Sequence, residues 1–146
     1  MQTLVLPIPD VGSLFATAPA SVWQLPWAAR GFEVERILGS NLPRNFPVID
    51  RFRNGIATSI KSLDLRAKTY QSVQNLGRTV ERYIDQVRAF NGARYANVTV
   101  RGADITGRSL ELAVPRGATA AQQSALKALQ TYGRNLGVDV KIIPLP

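Results

Sequence analysis
An Asn54-Gly55 dipeptide sits between two short runs of alternating apolar and polar residues in FPVIDRFRNGIATSIKSLDLRAK, residues 46–68. No other feature of the chain constrains its fold as tightly. Both residues tolerate the positive φ that a two-residue hairpin turn demands, and the flanking alternation is that of strands. With Asn54 and Gly55 as the loop, the register follows by counting outward. Arg53 opposes Ile56, Phe52 opposes Ala57, Arg51 opposes Thr58 and Asp50 opposes Ser59. Side chains alternate with period two, so Lys61 shares a face with Ser59. One face of the predicted hairpin therefore carries Asp50, Ser59 and Lys61. The other carries Ile49, Arg51, Thr58 and Ile60.

An acid, a short polar group and a lysine on adjacent strands are the parts of a metal-assisted phosphodiesterase. The carboxylate holds a divalent cation, and the lysine steadies the attacking water or the charge that develops on phosphorus. The pattern resembles that of the PD-(D/E)xK nucleases, with Asp50 followed by Ser59-Ile60-Lys61. Ser59 departs from it, standing where an acid is usual. A hydroxyl orients water or phosphate but is a poor metal ligand. The competing reading is an ordinary hairpin with a solvated Asp-Lys pair.

Composition narrows the chemistry further. The chain has 146 residues, enough for one domain with its own core. It has 18 Lys and Arg against 10 Asp and Glu, a formal net charge of +8, which favours a polyanionic partner. The basic residues are dispersed, which argues against a disordered basic tail. Cysteine and histidine are both absent. This removes disulfides, thiolate zinc sites, histidine metal sites and every mechanism that uses a histidine base. A catalytic carboxylate must come from the ten acids. No apolar run reaches the roughly 20 residues needed to span a bilayer, and the N-terminus lacks the basic region of a signal peptide.

In chain order, prolines at 7, 9 and 19 rule out a regular helix near the start, and residues 1–20 read as an extended arm packing on the domain. Ser21 caps a short turn carrying Trp23. Helical spacing over 27–38 puts Trp27, Gly31, Val34 and Leu38 on one inward stripe, with Gly39 as the stop. Glu33 then faces water. Glu35 falls at the edge of the stripe, beside Gly31 and Ala28, where its carboxylate reaches the sheet or else pairs with an arginine. Asp64, three residues after Lys61, is either an additional acid for the site or a turn residue. A second helix is expected over 72–90 with Gly92 at its C′ position. Its outer face carries Arg78, Arg82 and Arg88 among Glu81 and Asp85, the composition of a solvated face. Residues 96–100 and 109–114 read as strands, connected through Gly102 and Gly107. Thr119 and Gln122 form a capping box for a third helix, and 138–143 is a last strand. The expected fold is α/β, a mixed β-sheet flanked by helices.

The run RGFEVERILG, then LPRNFPVIDRF, NG, ATSIKSLDL resembles the C-terminal tRNase domain of contact-dependent growth inhibition toxins, the polymorphic toxins of Gram-negative bacteria. The resemblance covers residues 30–146 and is densest over 31–70, with Glu35 and the Asp50…Ser59-Ile60-Lys61 set as its most specific parts. It implies a PD-(D/E)xK (restriction-endonuclease-like) core and a divalent metal, Mg²⁺ first and Mn²⁺ or Zn²⁺ as alternatives. It also implies tRNA as substrate and a cognate immunity protein, and the basic composition makes that partner acidic where it docks. Carried over by position, Glu35, Asp50 and Lys61 match the nuclease residues, with Glu35 and Asp50 as metal ligands, and Ser59 matches the variant acid slot. Residues 1–29 would then be an arm belonging to the segment that helps the toxin enter cells. The domain would be the tail of a large cell-surface protein, acting in the cytoplasm of the target bacterium. Two other readings stand beside this one: a DNA endonuclease or junction-cleaving enzyme of the same fold, and a non-catalytic basic module that binds nucleic acid.

Overall fold
Asn54 and Gly55 take φ of 53° and 81°, both positive as a hairpin turn of this kind requires. Glycine is needed at 55 for a second reason. A Cβ there would lie 2.3 Å from Thr106 Oγ1, because the turn docks on the 104–107 segment and the Gly55 carbonyl accepts the Thr106 N–H at 2.8 Å. The hairpin joins β1 (Arg51–Arg53) to β2 (Ile56–Ser62) in the expected register, Arg51 to Thr58, Phe52 to Ala57 and Arg53 to Ile56. These elements belong to a computed structural model that describes residues 21–146. The arm expected over residues 1–20 lies outside the described residues.

The main sheet runs β1-β2-β5-β6, with β5 at Gly107–Pro115 and β6 at Val138–Leu145. β1 pairs antiparallel, while β2, β5 and β6 are mutually parallel. Parallel neighbours need crossovers, and two helices supply them: α2 (Val73–Ala89) between β2 and β5, and α3 (Ala120–Asn135) between β5 and β6. Both cover one face. Leu76, Val80 and Ile84 of α2 and Leu126 and Leu129 of α3 pack with Leu110 and Leu112 of β5. The other face is covered by the 3-10 turn Val22–Gln24 and by α1 (Trp27–Leu38), through Val22, Trp23 and Val34 against Ile60 and Ala113. The result is a mixed sheet between helices, as the sequence predicts.

Local chemistry fixes the helix ends. Ser21 accepts the Trp23 N–H, Ser72 accepts the Asn75 N–H, and Thr119 and Gln122 complete the capping box. Gly39 stops α1 in the left-handed region at φ 83°, and Ser40 donates back to the Glu35 carbonyl at 2.9 Å.

Four expectations are corrected. Gly92 is not the stop of α2, which ends at Ala89. It opens a strand, β3 (Gly92–Tyr95), that the sequence reading did not contain. Residues 96–100 are not one strand, because Ala96 and Asn97 form a turn at φ 51° and 64° and only β4 (Val98–Arg101) follows it, pairing with β3 as a separate hairpin. Ile49 packs with Ala57, Phe90 and Val100 instead of joining Thr58 and Ile60. The alternation is broken just before Asp50, where Val48 sits at φ 65° and the Ile49 N–H closes back on the Pro47 carbonyl at 2.7 Å. Trp27 does not turn inward: it is 81% exposed, and only the Val34–Leu38 half of the predicted stripe is packed.

Candidate active site
β1 is short, and its early departure from β2 creates the site. Beyond Thr58 the edge of β2 has no strand beside it among the described residues. The chain turns away at Asp50, whose carbonyl accepts the N–H groups of Asn41 and Leu42 at 3.1 and 3.2 Å. Its side chain then does what the missing strand would do. Asp50 Oδ2 accepts the Ile60 N–H at 2.7 Å, capping the open edge with a carboxylate.

This edge forms the floor of a cleft of about 470 Å³. α1 forms one wall through residues spaced four apart, Trp27, Gly31 and Glu35, with Ala28 and Phe32 beside them. Tyr83 of α2 stands on the opposite wall, and Lys61 and Ser62 continue along β2. Lys61 Nζ lies 5.1 Å from the centroid of the Tyr83 ring. It makes no ion pair within 4.0 Å among the described residues.

The structure therefore brings Glu35, Asp50 and Lys61 together, from α1, the approach to β1, and β2. It does not bring Ser59 or Asp64 to them. Ser59 is 1% exposed, beside Leu110 in the register; Ser62 lines the cleft instead. Asp64 is a turn residue held by Arg66, which donates its N–H at 3.0 Å and its Nε–H at 2.9 Å to Asp64 Oδ1. Glu33 pairs with Arg36 on the outer side of α1. One buried acid escaped the sequence reading. Glu111 of β5 is 6% exposed and receives both guanidinium arms of Arg51. Its signal was its position in the middle of the apolar run SLELAV.

Electrostatics set Glu35 and Asp50 apart from the other acids. Burial lifts the Asp50 carboxyl above its ordinary range, against the opposing pull of the Ile60 N–H and of Lys61. Burial also lifts Glu35, the Asp50 charge adds to the lift, and Lys61 and Arg44 counter it. The Asp50 charge that favours a proton on Glu35 favours a cation there as well. Among the described residues no group of three or more His, Cys, Asp or Glu is spaced to hold a metal. An oxygen-only pair suits a hard cation that keeps several waters and takes its remaining ligands from a phosphate, the usual habit of Mg²⁺. Glu35 and Asp50 fit that role.

The pair carries a testable linkage. Both folded-state pKa values are raised, so ionisation opposes folding. The cost is complete above the folded pKa values, declines as pH falls through them, and is gone below the unfolded ones. The double variant Glu35→Gln/Asp50→Asn should therefore melt higher than the parent at neutral pH without metal, and the gap should close on acidification. Saturating Mg²⁺ should raise the parent's Tm, by an amount corresponding to about 2.7 kcal/mol at a hundred times Kd. It should leave the double variant unmoved. Equal shifts in the two proteins would remove the metal from this cleft.

A mixed sheet between helices, with a cleft at the edge of β2, is the architecture of a restriction-endonuclease-like domain. Residues 30–143 match the family described as CDI toxin restriction endonuclease-like domain. A stretch of 108 residues, 72% of the chain, is 35% identical to the protein named Deoxyribonuclease CdiA of Yersinia pseudotuberculosis serotype O:3 (strain YPIII). The chain spans about a tenth of that relative, 10% of its length. The fold is also that of the solved CdiA-CT/CdiI toxin and immunity complex from Yersinia pseudotuberculosis. The TM-score is 0.68 at 30% identity, covering 84% of this chain and 100% of that one. The chain belongs to the family of contact-dependent growth inhibition toxin domains with a restriction-endonuclease-like fold.

Proposed function
We propose that this domain is a metal-dependent phosphodiesterase that cuts nucleic acid inside a target bacterium, with DNA as its substrate. The observation that carries the reading is the convergence of Glu35, Asp50 and Lys61 in one cleft of a strongly basic domain. A bound divalent cation would polarise the scissile phosphate and activate a water. Glu35 and Asp50 would hold that cation. The Ile60 N–H keeps Asp50 aimed along the strand edge. Lys61, free of an ion pair among the described residues, offers its charge to the phosphorane as it develops. DNA stands first because the 35% identical relative is named a deoxyribonuclease. tRNA, which the sequence resemblance implies, stands second. The non-catalytic basic module predicts no cleavage at all.

The decisive experiment incubates purified domain with plasmid DNA and with total tRNA, each with Mg²⁺ and with EDTA. Cleavage of DNA only with Mg²⁺ is the expected result. Cleavage of tRNA alone moves the substrate to the second reading, and intact nucleic acid in every arm overturns the enzyme. Binding should weaken steeply with salt, because the +8 charge acts by displacing counterions from phosphates.

Delivery and neutralisation follow from the same reading. The domain would be the tail of a large cell-surface protein, released into the cytoplasm of the recipient. An immunity protein with an acidic docking face would protect the producer, in keeping with the solved relative, a toxin and immunity complex. Expression of the domain alone should arrest bacterial growth, and co-expression of the partner should restore it. Healthy growth with abundant soluble domain would contradict the toxin.

A further inference from the structure
Two tryptophans lie close together in the chain, and the fold treats them in opposite ways. Trp23 is 6% exposed and donates its Nε1–H to the Leu145 carbonyl at 3.0 Å. Trp27, at the first position of α1, is 81% exposed and lies on the wall of the cleft that holds Glu35, Asp50 and Lys61. Phe32, 46% exposed, lines the same wall. Gly31 leaves the surface between them open, since a Cβ there would meet nothing within 4 Å among the described residues. Cations attend the aromatic groups. The Arg44 guanidinium lies 4.0 Å from the Phe32 ring centroid, and Lys61 lies 5.1 Å from that of Tyr83 across the cleft.

Exposed aromatic faces beside cations, in a cleft that also holds two carboxylates, match one kind of ligand. Phosphates take the cations, and a base takes the aromatic face. A base stacked within a duplex has no free face to offer, so such a platform serves only a base that is unpaired or flipped out. We infer that Trp27, with Phe32 on the same wall, stacks an unpaired nucleobase next to the scissile phosphate. The domain therefore engages duplex DNA by way of a flipped-out base and binds an already unpaired strand more tightly than a fully paired one. This inference rests on the nuclease reading for the location of the scissile phosphate. The volume of about 470 Å³ falls within the usual range for small-ligand sites and is large enough to receive one nucleotide.

The test uses tryptophan emission, since Trp27 is the solvent-exposed fluorophore and Trp23 is shielded. Asp50→Asn protein in EDTA, which holds the substrate intact, is titrated with a short single-stranded oligodeoxynucleotide, the matching oligoribonucleotide and a blunt duplex. The single strands should quench the emission strongly and the duplex weakly, with the two single-stranded arms ranking DNA against RNA. Trp27→Ala in the same background should abolish the quench and weaken single-strand binding about 5- to 150-fold, the range of one lost stacking contact. Trp27→Phe should keep most of the affinity. Unchanged single-strand affinity in Trp27→Ala, or equal quenching by duplex, overturns the platform. Quenching by single strands from a parent protein that cuts no nucleic acid would uphold the platform and sink the nuclease, so the two failures are distinguishable.

Discussion
Asp50→Asn is expected to lower the rate of phosphodiester cleavage by about 10²–10³, the usual consequence of removing one preorganised electrostatic group. Asparagine is the informative replacement because the Asp50 side chain has two tasks. Its Oδ2 accepts the Ile60 N–H at 2.7 Å, and its charge faces the cleft with Glu35 and Lys61. The amide oxygen preserves the hydrogen bond and removes only the charge. Asp50→Ala removes both and exposes the strand edge, so its activity loss would carry a component of misfolding. Lys61→Ala should fall in the same range. Lys61 covers Tyr83 without pairing an acid among the described residues, so its loss should leave the Tm near that of the parent. Glu33→Ala is the control, because Glu33 meets Arg36 on the outer side of α1 and belongs to no part of the cleft. Rates measured on labelled DNA with Mg²⁺ decide the matter. If Asp50→Asn and Glu35→Gln cut like the parent while Glu33→Ala is dead, the helical phase and the choice of site are both wrong.

Arg51→Ala is expected to be the most destabilising change near the site, by about 3–5 kcal/mol in denaturant unfolding. Counting along the hairpin puts Arg51 on the face away from Asp50, where the sequence suggests only a mild effect. That face is not solvent. The Arg51 and Glu111 side chains are 14% and 8% exposed, and the guanidinium binds both carboxylate oxygens. Arg51 also donates to the Leu38 carbonyl at 2.6 Å, tying the end of α1 to the sheet. Removing Arg51 strands a buried charge on Glu111, and a domain of this size has a total stability of roughly 5–15 kcal/mol. The double variant Arg51→Met/Glu111→Leu should recover most of the loss, since an apolar pair of similar volume leaves no charge to desolvate. A fully stable Arg51→Ala would mean that Glu111 finds water or another partner. The test also bears on the site, because α1 carries Glu35 and a loosened α1 would no longer hold it near Asp50.

The features that the sequence determined are those written within a few residues of one another. The Asn54-Gly55 turn fixes its own register because a two-residue loop needs two positive φ angles and the pairing then follows by counting. The capping box at Thr119 and Gln122 and the left-handed stop at Gly39 are equally local. Helical phase was enough to turn Glu33 outward and bring Glu35 to the cleft, as 100° per residue accumulates little error over one or two turns. The lower strand propensity of the GARY segment hid β3, and the Ala96–Asn97 turn lacks the glycine that marked the first hairpin.

Tertiary structure decided what covers each face. Period-two alternation says that Ser59 and Lys61 point the same way, but not that Ser59 is closed off while Lys61 stays in an open cleft. Alternation also holds only while a chain stays extended, and Val48 interrupts it, which sends Ile49 to Ala57 and frees Asp50 to bend along the strand edge. The Arg51–Glu111 pair joins residues 60 apart in sequence, in register only because β5 crosses over to lie beside β2. Trp27 had the spacing of a core residue, and packing left it outside while Val34 and Leu38 joined the cluster between α1 and the sheet. Periodicity gives the direction of a side chain. Whether that direction meets another element or water depends on contacts between segments distant in sequence, which form only when the whole chain has closed around its core.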